Sequence, residues 1–358
     1  MEPVALPIVP KRLYDEAPSS WLRRIGELYE VDPHSILDEW LSLHSTDSIC
    51  RRTSIESRID ACTASVIAHR TRLPEELSDS LIVGPKTWVT ESPEELPVCA
   101  QCLLSDDQAE RPRYKRNEWS YCWRATCSKH GSLLVYAPNI SDQASTQDKP
   151  WRAAKRSALS SSKYSTRPRK SNHVKDTRAI DSIREIESAI LRALQGRAPY
   201  RKFWGPIKAP EFLRVVQDVA SFVLTNFSEQ PMVPICTLDV AQFSQSGEVA
   251  CFARRPRPHL PWTGASKVVT LASVGDPGLR RCALFWVRDL MHLTSVRQWT
   301  DPSSNSNRTR RQAKTLNRQC SEGLAWLAHR MQQWPPEYRD TWWASTRILG
   351  LPISAQPD

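Results

Sequence analysis

Apolar positions recur with helical spacing through most of this chain and almost nowhere with the alternation of a strand. Trp21, Ile25 and Leu28 stand at i, i+4 and i+7, one apolar stripe of a helix that Ser19 and Ser20 can cap. Val31 ends the stripe. Asp32 followed by Pro33 then reads as an N-cap with proline at the first helical position, and Ile36, Leu37, Trp40 and Leu41 continue with helical spacing. Two short helices around a tight turn make either a DNA-reading helix-turn-helix or a hairpin for scaffolding and protein contact. Asp32, Asp38 and Glu39 on the second helix weigh against phosphate contact.

Helical periodicity returns in the second half. Ile183, Ile186, Ile190, Leu191 and Leu194 mark one helix, with Asp181 as its cap and Gly196 just past its end. Phe212, Val215, Val216, Val219, Phe222, Val223 and Phe227 mark a second. A third runs from Leu279 to Leu293, with Leu284, Val287, Leu290 and Met291 inward. Leu316, Leu324, Leu327 and Met331 mark a fourth. Between the halves, residues 141–178 are polar, rich in Ser, Lys and Arg, and read as a linker or basic loop.

Composition narrows the picture. Eleven glycines in 358 residues are less than half the usual ~7 %, which argues against a turn-rich β-sandwich and against a Gly-loop nucleotide fold. The 27 prolines suit many short, sharply ended helices. No stretch approaches the ~18 apolar residues of a membrane span, and Met1 to Pro10 lacks the regions of a signal peptide, so a cytoplasmic protein is expected.

Charge is unevenly placed. Residues 1–110 hold ten Lys/Arg and twenty Asp/Glu, whereas 111–180 hold sixteen and four. The asymmetry suggests a protein partner for the acidic part and a polyanion for the basic part. Candidate nucleic-acid contacts are Arg113, Lys115 and Arg116, then Arg167, Arg169 and Lys170, and the cluster Arg308, Arg310, Arg311 and Lys314. A further basic patch is Arg254, Arg255 and Arg257. Around Tyr114, Trp119, Tyr121 and Trp123 the alternating aromatics suit short strands of a ribbon. Interleaved cations and rings there serve either phosphate and base contact or a core with a solvated face.

The sharpest signal is Cys99-Ala-Gln-Cys102, then 24 residues, then Cys127-Ser-Lys-His130-Gly131. A C-x2-C knuckle aims two thiolates at one ion, and the C-x2-H pair adds a third thiolate and an imidazole. Four protein ligands leave no open position, so Zn(2+) here would be structural. Cys122 lacks knuckle spacing to Cys127 and reads as a packed thiol; the other six of the ten cysteines are scattered. No H-E-x-x-H, P-loop or G-x-S-x-G motif is present, which argues against the common hydrolase and nucleotidase chemistries.

Two stretches resemble the TniQ family. One is Leu6-Pro7-Ile8-Val9-Pro10 with Glu16-Ala17-Pro18-Ser19-Ser20-Trp21-Leu22-Arg23-Arg24. The other is Leu96-Pro97-Val98-Cys99-Ala100-Gln101-Cys102-Leu103, with Tyr114 to Trp119 and Cys127 to Leu134 behind it. Ala100 departs from the proline usual after the first zinc cysteine. The resemblance implies a non-catalytic target-selection adaptor of a bacterial transposon, some of them CRISPR-associated. It would recognise target DNA or a target-bound guide complex and recruit an AAA+ transposition ATPase, alone or as a homodimer, near the nucleoid. By position it implies Cys99, Cys102, Cys127 and His130 as zinc ligands, and the region of Trp21 and Arg24 as partner-facing. A stand-alone sequence-specific DNA-binding regulator is the alternative.

The sequence thus predicts a mainly α protein. An N-terminal domain (1–95) carries the helix-turn-helix-like hairpin. A small zinc ribbon with short β-strands (96–140), a basic linker (141–180) and a helical C-terminal domain (181–358) follow.

Overall fold

The computed structural model describes residues 5–42, 53–91, 97–112, 114–134, 173–199, 207–227, 270–274, 280–281, 283–284, 287–288, 321–336 and 339–340. They fall into two compact units, Met1–Pro168 with Ala272–Pro277, and Arg169–Leu271 with Gly278–Asp358. Helix dominates, as the periodicity predicts.

In the first unit α1 spans Pro18–Tyr29 and α2 spans Pro33–Ser42. Ala17 is the N-cap of α1 and makes no side-chain cap, so Ser19 and Ser20 do not cap it. Pro18 at the first helical position has no N–H to satisfy, and Ser20 is free to work elsewhere. The second cap is as expected: the Asp32 carboxylate accepts from the Ser35 amide at 3.0 Å. Between the helices Glu30 takes a left-handed conformation (φ 58°), and the Val31 amide closes the turn on the Gly26 carbonyl at 2.9 Å.

The stripe of α1 is rotated from its expected position. Trp21, Leu22 and Ile25 are buried, but Leu28 is 51 % exposed. At about 100° per residue the buried arc centres between Leu22 and Ile25, roughly 90° from Leu28. The α1 face packs on α2, and α2 on α4 (Ala61–Thr71), with the short α3 (Ile55–Arg58) against α1. Ile36, Leu37, Ile59 and Ile67 complete this core.

The cysteine module belongs to the same unit. It contains α5 (Ala100–Gln108) and a 3-10 turn, Asn117–Ser120. Among the described residues, strand pairing takes the form of isolated bridges, including the antiparallel Glu16↔Arg116, Val89↔Tyr121 and Thr126↔Leu133. The expected strands at the aromatic residues are replaced by turns, Trp119 amide to Arg116 carbonyl and Arg124 amide to Tyr121 carbonyl. Each of these turns carries a buried ring, Trp119 in the first and Trp123 in the second.

In the second unit α6 spans His173–Leu194, α7 spans Ala209–Phe227 and α8 spans Ser321–Met331. Asp181 lies inside α6 rather than at its cap, whereas Gly196 (φ 73°) ends the helix as predicted. The buried stripes match expectation. Ile183, Ile186 and Ile190 of α6 face α7, whose Phe212, Val215, Val219 and Phe222 are fully enclosed. Leu327 and Met331 of α8 pack on α7 as well. Of the third predicted helix, Leu284 and Val287 are buried, and Leu290 and Met291 lie outside the described residues, as does Leu316 of the fourth.

Candidate metal centre

Two turns of the chain build the centre. Cys99 caps α5, its Sγ accepting from the Cys102 amide at 3.5 Å, so both thiols of the first knuckle sit at the positive end of a helix. In the second knuckle Gly131 adopts φ 61°, a left-handed bend natural to glycine. There the Gly131 amide donates to the Cys127 carbonyl at 2.7 Å, and the Cys127 amide to the Ser132 carbonyl at 2.8 Å. The bend returns the chain past its own start and aims Cys127 and His130 the same way.

The ligand atoms of Cys99, Cys102, Cys127 and His130 all lie within 4.8 Å of one another. His130 Nδ1 is 3.4 Å from Cys99 Sγ, 3.3 Å from Cys102 Sγ and 3.8 Å from Cys127 Sγ. Cys102 and Cys127 sulfurs are 3.6 Å apart, too far for a disulfide. A tetrahedron with Zn–S of about 2.3 Å and Zn–N of about 2.0 Å requires S···S near ~3.8 Å and S···N near ~3.5 Å. The group can hold a metal ion and its donor set is compatible with zinc. Cys122 is buried but is not among these four donors, the packed thiol the spacing predicts.

Held this close, the thiols cannot ionise independently. Hydrogen bonding from Cys102, then from Cys127, drives Cys99 towards its thiolate. Hydrogen bonding with Cys127 and Cys99, then burial, pushes the Cys102 thiol up, with Arg116 pulling the other way. A divalent cation resolves that conflict by taking the sulfurs as thiolates.

Around the donors stand residues that spacing alone does not reveal. Ser132 Oγ lies 3.2 Å from Cys99 Sγ, and the Glu118 carboxylate 3.9 Å from Cys127 Sγ. Asp106, fully buried, follows Cys102 by one helical turn on α5; that i+4 spacing is its one sequence signal. Arg116 Nη2 donates to both Asp106 oxygens, at 3.0 and 2.8 Å.

The other sequence-predicted residues are placed as follows. Lys115 and Arg116 are both buried, and the Arg116 guanidinium turns inward over the rings of Tyr114 and Trp119. The Trp21 indole is inside the helical core, donating to the Pro10 carbonyl at 2.7 Å. Arg24 grips Glu16 through Nε at 2.9 Å and Nη2 at 2.6 Å. Arg113, Arg167, Arg169, Lys170, Arg308, Arg310, Arg311 and Lys314 lie outside the described residues, as do Arg254, Arg255 and Arg257. Among the described residues no helix is long and apolar enough to cross a membrane.

Residues 7–134 match the model of the TniQ family, a span that contains all four donors and, except for Leu6, both motif stretches. No curated protein and no solved structure is matched.

Proposed function

With residues 7–134 assigned to the TniQ family, whose role is transposition-associated target selection, we propose that this chain is a non-catalytic target-selection adaptor. It recognises target DNA, or a guide complex bound to it, and recruits an AAA+ transposition ATPase. The family match over the segment that carries the Cys99, Cys102, Cys127 and His130 cluster is the observation that carries this reading. The cluster holds structural zinc; with four protein donors it leaves the ion no site for a substrate. It works in the bacterial cytoplasm, on the nucleoid.

Nucleic-acid contact falls to Arg113, Arg167, Arg169, Lys170, Arg308, Arg310, Arg311 and Lys314 rather than to Lys115 and Arg116, which the fold encloses. The partner-facing role of the Trp21 and Arg24 region passes to the outer side of α1, where Glu27 and Leu28 are exposed.

The test is capture of the cognate ATPase on DNA by the tagged, zinc-loaded full chain. ATPase retained only when this chain is present supports the adaptor. Folded, zinc-loaded protein that retains none overturns it. The basic excess of 111–180 favours a second reading, a stand-alone sequence-specific DNA-binding protein. That reading expects one DNA sequence bound far above random DNA at physiological salt, without the ATPase.

A further inference from the structure

We propose that Arg116 is a positioning residue of the metal centre: it supplies the counter-charge to the thiolates and couples metal loading to the segment that leads into α1. The inference rests on reading the Cys3His cluster as a metal centre, and is independent of the adaptor reading.

Three thiolates and one divalent cation carry a net single negative charge, and the enclosed Asp106 carboxylate adds another. Two such charges in a low-dielectric interior need a cation that is itself held in place. Arg116, its side chain 8 % exposed, is a buried cation paired directly with Asp106. Arg111 also reaches Asp106, at 3.4 Å, but its side chain is 49 % exposed and screened by water. The Arg116 fork is spent on Asp106 through Nη2, while Nε stands 3.2 Å from Asp15 Oδ2. Tyr114 and Trp119 clamp its plane, with ring centroids 4.6 and 5.2 Å from the guanidinium carbon. Nη1 is buried with no hydrogen-bond partner among the described residues, an unspent N–H on the buried cation.

The backbone on either side of Arg116 carries the coupling. The Ala17 amide donates to the Lys115 carbonyl and the Asn117 amide to the Asp15 carbonyl, both at 2.8 Å, around the Glu16↔Arg116 bridge. The Lys115 amide donates to Ser20 Oγ at 3.0 Å, inside the first turn of α1. A metal that fixes Cys99 and Cys102 fixes the start of α5, hence Asp106, hence Arg116, hence residues 15–20. Linkage makes the effect reciprocal.

The test uses the full chain and zinc. Zinc affinity is measured by competition with a chromogenic chelator for the wild type, Arg116→Gln and Arg116→Lys. Amide hydrogen exchange of residues 15–20 is followed with and without metal. Expected are one zinc per chain in all three proteins and affinity lowered about 10–100-fold in Arg116→Gln, the size typical of outer-shell partners. Arg116→Lys recovers part of the affinity, because charge returns without the fork. In the wild type, exchange at Ala17 and Asn117 rises as the chelator strips zinc. A purely structural Arg116 would lower thermal stability equally with and without zinc and leave zinc affinity unchanged. That outcome overturns the proposal, as does wild-type exchange at Ala17 and Asn117 that ignores the metal. The exchange measurement decides the matter even if Arg116→Gln does not fold. A wild-type chain that binds no zinc removes the metal centre and this proposal together.

Discussion

Trp334 donates its indole N–H to Oδ2 of Asp218 at 2.8 Å, across 116 residues of sequence. Arg330 Nε takes the other oxygen of the same carboxylate, also at 2.8 Å. Asp218 is buried on α7, and both partners come from the last turn of α8 and just beyond it, so one carboxylate ties the two helices. Replacing Asp218 with Ala removes the carboxylate that accepts from a buried indole N–H and from a half-buried guanidinium. The cost expected is about 2–4 kcal/mol, below that of a fully buried pair because Arg330 is 36 % exposed. Hydrogen exchange of α7 and α8 amides checks it: protection should fall in both helices together.

Gly26 makes a sharper test because two effects oppose. Alanine in a helix interior ordinarily gains up to ~1 kcal/mol over glycine. A Cβ on Gly26, however, would sit well inside contact distance of the Val31 carbonyl oxygen, which is backbone and cannot rotate away. Overpacking of that kind costs about 1–3 kcal/mol, so Gly26→Ala is expected to destabilise the first unit and open the turn between α1 and α2. A raised denaturation midpoint would show that the turn yields freely.

Asp60 caps α4, its Oδ1 accepting from the Thr63 amide at 2.9 Å. That hydrogen bond is the main reason its carboxyl is held below the ordinary range; partial burial opposes it and Lys86 assists. The folded-state pKa is therefore depressed. Its contribution is fully present above the unfolded value near ~3.9 and is lost as pH falls through the folded value. Asp60→Ala should cost about 1 kcal/mol at pH 7. Asp60→Asn should keep most of the cap and lose this part of the acid dependence. Exchange rates in α4, measured at neutral and acid pH, separate the two variants.

What could be read from the chain followed the range of the interactions. The turn at Asp32-Pro33, the stripe of α7 and the four donors are set by spacings of a few residues, and the structure agrees with them. The pairing of residues 15–17 with 115–117 spans a hundred residues and has no periodic signature. For that reason Arg116 looks like a phosphate contact in sequence, where its charge is visible and its partners Asp15 and Asp106 are not. It is also why the cysteine module reads as separate from the N-terminal helices, whereas the two share one compact unit. Helix α6 begins earlier than expected because the polar start of a helix carries no stripe to reveal it.

Removal of a metal ligand has a defined outcome. Cys99→Ser or Cys127→Ser should each lose bound zinc and lower the unfolding temperature of the first unit, since metal binding to a site of this kind is folding free energy. Metal analysis at one zinc per chain in both variants would defeat the assignment. Cys122→Ser, by contrast, should keep full zinc occupancy, because Cys122 lies outside the four-donor group.

The nucleic-acid reading makes a prediction that separates enclosed cations from the remaining ones. A cation that meets a phosphate releases counterions, and each such contact contributes about −0.9 to the slope of log affinity against log salt on duplex DNA. If Arg167, Arg169 and Lys170 each meet one phosphate, changing all three to Gln should flatten the slope by about 2.7 and weaken binding to all sequences alike. Arg116 should contribute nothing to that slope, because its charge is neutralised within the fold by Asp106 and Asp15. The measurement is DNA affinity by fluorescence anisotropy across a salt series, for the triple variant and for a zinc-loaded Arg116→Lys protein. An unchanged slope in the triple variant would move the contact to the cluster Arg308, Arg310, Arg311 and Lys314, where the same substitution test applies. Unchanged slopes in both sets would remove direct duplex binding and leave target recognition to a partner complex.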